Sequence, residues 1–205
     1  MLGEKGFDLW ADGYDQSVGA SDEDGTYPFA GYKKLLNEIY RRVLAGNAKT
    51  VLDIGFGTGV LTTKLYEQGC GIWGQDFSAN MIARAKAKMP NAKLYQGDLT
   101  QGLVRELRQK RYDAIISTYA LHHLTDVQKA ALLQSLFPLL NDGGRICIGD
   151  VAFKTRADMA ACKALAGAEW DEEEIYMIAD EFARSFPQIT FEQVSFCAGL
   201  FSLQK

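Results

Sequence analysis

Three aspartates stand where a short apolar run gives way to a loop: Asp53 in VLDIGFGTG (51–59), Asp76 in GIWGQDF (71–77) and Asp98 in YQGDL (95–99). Gly55, Gly57 and Gly59 follow the first at every second position, and Gly97 precedes the third. A turn this rich in glycine can adopt left-handed conformations and bring its backbone against a ligand. The spacing is G-x-G-x-G. The dinucleotide fingerprint requires G-x-G-x-x-G, and Val60 occupies its last position. The Gly-Lys-Ser/Thr ending of a phosphate loop is not there either.

Asp53 at this turn repels a pyrophosphate and attracts an ammonium. The helix start after Gly59 suits a carboxylate. S-adenosylmethionine carries both groups, and its sulfonium adds a positive charge. Asp76, at a second strand tip, can accept from both ribose hydroxyls. Asp98 can accept from the adenine amine, with Leu99 beside it and Phe77 and Met81 as apolar walls.

A second group of reactive types lies in STYALHHL (117–124). Ser117 and Thr118 are expected beside the methionine part of the ligand. Tyr119, His122 and His123 follow, the histidines being the only two in the chain. Methyl transfer from a sulfonium is an in-line displacement that depends on alignment. A general base is needed only where the acceptor arrives protonated. His122, Tyr119 and Asp150, which ends RICIGD (145–150), are the catalytic candidates. Their plainer roles are a helix cap, a packed ring and a turn acid. No metal is expected, because adjacent histidines diverge and no further ligand cluster is visible.

These residues need a scaffold. TVLDIG, GIWGQD, AKLYQGD, YDAIIST and RICIGD read as strands. VLTTKLYEQG, SANMIARAKAKM, GLVRELRQK and TDVQKAALLQSLFPLL read as helices, with Ser78 and Thr125 as caps, and NDGG reads as a turn. The alternation predicts right-handed crossovers and an open α/β sheet covered on both faces. EEEIYMIADEFARSF is expected to be a helix with acids in its first turn. ITFEQVSF and GLFSLQK are expected to pair as a hairpin around Cys-Ala-Gly.

Before the first strand, Phe7, Trp10, Ala11 and Tyr14 share one face of a short helix. Trp10 reads as a core anchor and Tyr14 as a cofactor contact. The acidic loop GASDEDG follows. Tyr32, Leu35, Leu36, Ile39, Tyr40 and Val43 then form a helical stripe that stops at Gly46 and Asn47. Residues 1–46 are expected to be a helical lid on a single domain spanning 1–205.

The 205 residues are 47% hydrophobic and 23% charged, which suits one globular domain. A net charge of -4 disfavours a nucleic-acid partner. The start of the chain does not read as a signal peptide, and no apolar run has membrane-spanning length. The four cysteines are scattered, so a reduced, cytoplasmic chain is expected.

VLDIGFGTG, GQDFSANMI, YQGDL, YDAIISTYALHHL and LLNDGGRICIGD together resemble the successive motifs of class I S-adenosylmethionine-dependent methyltransferases. The resemblance covers roughly residues 5 to 205. FDLWADGYDQSV resembles the opening helix of small bacterial, YrrT-like members, whose Tyr-Asp closes over the cofactor. The resemblance implies a Rossmann-like, doubly wound seven-stranded sheet, mostly parallel, with one antiparallel strand from the C-terminal hairpin. It also implies S-adenosylmethionine as cofactor. Phe56 stands where the family has a small residue and is expected to narrow the mouth. The Asn/Asp-Pro-Pro-Tyr/Phe motif that orients amino groups in related families does not occur. The expected partner is therefore a small-molecule acceptor, with no nucleic acid or membrane; a homodimer is left open. Two alternatives remain at this point. A nicotinamide-dependent oxidoreductase is disfavoured by Val60 and Asp53, and the other is a non-catalytic cofactor-binding module on the same fold.

Overall fold

The computed structural model describes residues 25–205. The expected helix around Phe7–Tyr14, including Trp10 and Tyr14, lies outside the described residues, as does most of the acidic loop. From there the chain runs α1 (Tyr32–Ala45), β1 (Thr50–Ile54), α2 (Val60–Glu67), β2 (Gly71–Asp76), α3 (Ala79–Lys88) and β3 (Lys93–Gln96). It continues α4 (Arg105–Arg108), β4 (Tyr112–Thr118), α5 (Asp126–Leu136), β5 (Leu140–Phe153) and α6 (Arg156–Ala166). It ends β6 (Met177–Ile178), α7 (Ala179–Ser185), β7 (Thr190–Gln193) and β8 (Ala198–Gln204).

The strands are ordered β3-β2-β1-β4-β5-β8-β7, with the short β6 paired to the end of β5. All pairs are parallel except those that β8 makes with β5 and β7. This is the expected mostly parallel sheet with a reversed C-terminal strand, extended by β6.

Period-two alternation along each strand splits the core in two. Val51, Ala114, Ile116, Cys147 and Leu200 face Leu35, Leu36 and Ile39 of α1, Leu61 and Leu65 of α2, and Ala85 of α3. Leu52, Ile115, Ile146, Ile148 and Phe201 face Leu107 of α4, Leu132, Leu133 and Leu136 of α5, and Phe182 of α7. Both faces are covered, so the strands read as nearly continuous apolar runs. The chain moves outward from β1 through β2 and β3, then returns to place β4 on the other side of β1. The carboxyl ends of β1 and β4 therefore flank a topological switch point, where ligands of open α/β sheets sit.

Several local expectations are corrected. The helix expected over 172–186 forms only as Ala179–Ser185. Met177 and Ile178 are buried and pair with Ala152 and Phe153 instead. Tertiary partners hold the backbone just before them: Ile175 N donates to His122 O at 2.9 Å, and Lys129 Nζ donates to Ile175 O at 2.5 Å. GLVRELRQK is helical only at Arg105–Arg108, because the Gln75 side chain takes the Val104 N–H and donates to Gly102 O. NDGG lies within β5, where the register against β4 shifts between Tyr112 and Ala114. Ala198 and Gly199 belong to β8, so the hairpin loop is Val194–Cys197. Helix α6 was not expected at all; Thr155 and Asp158 start it with a reciprocal capping box.

Candidate active site

The glycine turn joins β1 to α2. Gly55, Gly57 and Gly59 have φ of 71°, 54° and 74°, the left-handed region that side chains strain to adopt. A Cβ at residue 55 would also lie 2.3 Å from the Ala120 Cβ, so the turn and the loop after β4 touch through that glycine. Asp76 fixes the turn from the neighbouring strand tip. Its Oδ2 accepts from Gly57 N at 2.8 Å and its Oδ1 from Ser78 N at 2.9 Å. Ser78 in turn caps α3.

Asp53 lies beneath this turn and is buried. Thr62 Oγ1 donates to its Oδ2, while Oδ1 has no hydrogen-bond partner among the described residues. Burial pushes the Asp53 carboxyl up to about 7; the Asp76 charge adds to this and the Thr62 bond opposes it. Phe56 does not narrow the mouth. It is buried, and its ring fills the space left by Gly74, where a Cβ would lie 2.6 Å from Phe56 Cδ1.

A cleft of about 440 Å³ opens over the carboxyl ends of the strands. Gly55 and Gly57 form its floor, and Asp76, Phe77, Met81, Asp98 and Leu99 line one end. Phe77 is a large apolar side chain at the rim, 74% exposed. Asp98 caps a 3-10 turn at Leu99–Gln101, its Oδ1 accepting from Thr100 N at 2.8 Å. Tyr119, Ala120, His123 and Leu124 line the other end. Ser78, Thr100, Ala120 and Leu124 were not singled out as cleft residues from sequence, whereas His123 was named there beside His122 and Tyr119.

Other expected site residues lie behind the lining. Gly59 is the left-handed N-cap of α2 and packs on Met89. Gly97 packs against the Gln75 side chain. Ser117 is buried, its hydroxyl donating to Ile54 O at 2.8 Å, so it ties β4 to β1. Thr118 ends β4, half-buried.

Tyr119 has φ of 49°, a strained value for a residue with a side chain. Its N–H donates to Gly149 O at 2.9 Å, and its ring packs against Phe29 and Tyr32 at 5.2 and 5.1 Å. The next residues form a 3-10 turn, Leu121–His123. Asp150 organises that turn from β5. Its Oδ2 accepts from the N–H groups of Leu121 and His122, and its Oδ1 accepts from His122 Nδ1 at 2.7 Å and Val151 N at 2.8 Å. The other His122 nitrogen, Nε2, is 3.4 Å from Glu174 Oε1. Burial pulls the His122 pKa down, but the Asp150 charge and hydrogen bond, with Glu174, outweigh it, and the net direction is up. The His123 pKa is lowered, by desolvation and then by His122.

The two histidines converge instead of diverging. Their ring centroids are 4.2 Å apart at an interplanar angle of 66°. His122, His123 and Glu174 each present a ligating atom, all within 4.8 Å of one another. Glu174 is held by Tyr176, whose hydroxyl donates to Oε2 at 2.6 Å and also bonds the Tyr27 hydroxyl. Nothing in the run EEE distinguished Glu174 from its neighbours. Lys129 is also unforeseen: its side chain is wholly buried, and Nζ donates to Leu124 O at 2.7 Å as well as to Ile175 O. Burial lowers its pKa.

Residues 51–144 match a family described as a methyltransferase domain. The chain is 38% identical over 181 residues to an uncharacterised methyltransferase of Geobacillus sp. (strain WCH70), covering 88% of this chain and 80% of the relative. It is 39% identical over 150 residues to an uncharacterised methyltransferase of Anoxybacillus flavithermus, covering 73% and 68%. Among solved structures, the magnesium protoporphyrin IX methyltransferase of Synechocystis with bound SAH superposes with a TM-score of 0.70 at 18% identity, covering 98% of this chain and 95% of that one. An S-adenosylmethionine-dependent methyltransferase of Clostridium acetobutylicum superposes with a TM-score of 0.64 at 13% identity, covering 84% and 91%. With the sheet order, the glycine turn and these relatives in agreement, the chain belongs to the class I S-adenosylmethionine-dependent methyltransferases.

Proposed function

We propose that the protein methylates a small-molecule acceptor, with the donor lying across the glycine turn and the acceptor entering at the tyrosine–histidine end. The observation that carries this is the polarity of the cleft: carboxylates at one end, aromatic and imidazole rings at the other, and a side-chain-free turn between them. S-adenosylmethionine supplies a methyl group already activated as a sulfonium. The protein's task is then binding and alignment.

The residues fit that donor. Asp76 donates nothing, and each of its oxygens has lone-pair capacity beyond its one backbone N–H, so both ribose hydroxyls can be held. Asp98 has Oδ2 available for the adenine amine, with Phe77, Met81 and Leu99 around the ring. Gly55, Gly57 and Gly59 keep the backbone bare along the methionine part, with Gly97, Ser117 and Thr118 supporting the same wall. The unpaired Asp53 Oδ1 lies under the end that takes the ammonium, whose positive charge favours the ionised carboxylate. At the other end, Tyr119 shapes the acceptor space, and Asp150 orients His122 as the group that activates the acceptor.

A small acceptor is favoured over a nucleic acid because the net charge is -4 and Asp76 and Asp98 line the cleft. Phosphate backbones seek the opposite field. The test is calorimetry with S-adenosylhomocysteine and NAD, followed by methylation assays on a panel of thiols, phenols and amines. Binding of S-adenosylhomocysteine, no response to NAD and turnover of a panel member are expected. NAD binding without S-adenosylhomocysteine binding refutes the proposal.

A further inference from the structure

His122, His123 and Glu174 together resemble a coordination sphere more than an ion pair. We propose that they bind one divalent first-row metal ion of the zinc type at the acceptor end of the cleft, leaving a fourth position open to the acceptor. This deepens the methyl-transfer function proposed above and rests on it.

The first support is the donor set. Two imidazoles and one carboxylate are a familiar set for a three-ligand zinc site that keeps a position open. The second is spacing. Bonds of about 2.0–2.1 Å at tetrahedral angles put ligand atoms about 3.4 Å apart. His122 Nε2 and Glu174 Oε1 are 3.4 Å apart already. All three ligating atoms fall within 4.8 Å, so His123 needs only a small rotation to close the set. His123 is exposed and free to make it.

The third support is the surroundings. A metal-bound histidine usually gives its other ring N–H to a carboxylate, which fixes the ring and its tautomer. His122 does this with Asp150 at 2.7 Å. Asp150 is held in turn by three backbone N–H groups, those of Leu121, His122 and Val151. The carboxylate ligand is oriented too, since Tyr176 donates to Glu174 Oε2 and leaves Oε1 facing His122. The backbone beside Glu174 is anchored by His122 O and by the buried Lys129. Two of the three ligands are therefore preorganised through different elements of the fold. The third, His123, lines the donor cleft, which puts the open position on the side where the acceptor meets the donor.

Such an ion selects acceptors with an ionisable oxygen or sulfur. On binding, the acceptor's hydroxyl or thiol releases its proton to water. Its lone pair then forms the bond to the methyl carbon as the carbon–sulfur bond of the donor breaks. The bonding pair stays on sulfur, giving S-adenosylhomocysteine.

The test uses the full chain without a histidine tag, dialysed against chelator and titrated with Zn²⁺ by calorimetry and with Co²⁺ by visible absorption. One ion per chain is expected, with the intense bands of four-coordinate cobalt. Glu174→Gln and His123→Ala should each weaken binding at least tenfold, and Asp150→Asn roughly 10- to 100-fold through the lost orientation of His122. Thermal melts verify that each variant is folded, and the partly exposed Glu174 keeps the test valid where Asp150→Asn is not. Failure of the wild-type chain to bind either ion stoichiometrically overturns the proposal, as does unchanged affinity in both Glu174→Gln and His123→Ala. S-adenosylhomocysteine binding on the same samples separates the two claims: donor binding without metal binding removes the ion and leaves methyl transfer standing.

Discussion

Asp76 Oδ2 accepts the backbone N–H of Gly57 at 2.8 Å, so the tip of β2 holds the middle glycine of the turn that follows β1. The same carboxylate thus shapes the donor site and faces into it. Asp76→Ala is expected to weaken S-adenosylhomocysteine binding by at least tenfold. It should also lower the melting temperature, because two charge-assisted bonds, each contributing about 1.5–3 kcal/mol, go with it. Calorimetry and a thermal melt measure the two effects; an unchanged dissociation constant takes Asp76 out of the site.

Asp53 gives a stability signature with a defined sign. Its folded carboxyl titrates near 7, above its ordinary value of 3.8, so the folded state holds the proton more tightly. The associated stabilisation is complete below the unfolded pKa and is lost as pH rises through about 7. The ligand-free Asp53→Asn protein should therefore have a flatter melting profile than wild type between pH 4 and 7. Parallel profiles would mean that the carboxyl is ionised throughout.

Gly55 and Gly57 separate backbone strain from steric overlap. Both have positive φ, which costs a side chain about 1–2 kcal/mol. Only at Gly55 does the added Cβ meet a neighbour, at 2.3 Å, while at Gly57 nothing lies within 4 Å. Gly55→Ala should be the more destabilising by roughly 1–3 kcal/mol. It should also displace Ala120 and weaken donor binding. Denaturant melts of the two variants side by side decide this; equal losses would point to strain alone.

Thr155 tests the helix that flanks the far side of β5. Its hydroxyl accepts the Asp158 N–H, and the Asp158 side chain accepts the Thr155 N–H at 3.0 Å. Thr155→Ala should cost about 1 kcal/mol and leave S-adenosylhomocysteine affinity unchanged. A loss of affinity in the folded variant would tie α6 to the cleft.

That capping box was legible. Thr155 and Asp158 stand at the spacing of the motif, yet the stretch after Asp150 carries too weak an apolar stripe to suggest a helix, with only Cys162 buried on α6. The strand–helix alternation and the three strand-tip acids were legible because each rests on local pattern. Two matters were not. The first is which way a strand-tip residue points: Ser117 turns inward to Ile54 O, whereas Tyr119, two positions on, turns into the cleft through a positive φ that no neighbouring residue announces. The second is the histidine end, where convergence depends on Asp150 and Glu174, brought there by β5 and by the segment before β6. Tertiary partners also overrode the helix expected over 172–178, since Met177 and Ile178 gain more from pairing with β5 than from continuing a solvent-exposed turn.

Lys129 sets a buried ammonium between Leu124 O, which closes the histidine turn, and Ile175 O, beside Glu174. Two stretches distant in sequence are thereby locked to one post, and neither can detach without costing the buried ammonium a close partner, the Asp126 carboxylate lying farther off at 3.4 Å. They must open together or not at all, as one cooperative unit. The glycine turn and Asp76 hang on different bonds. The acceptor end of the cleft is therefore expected to open as one unit, held by bonds other than those that hold the donor end.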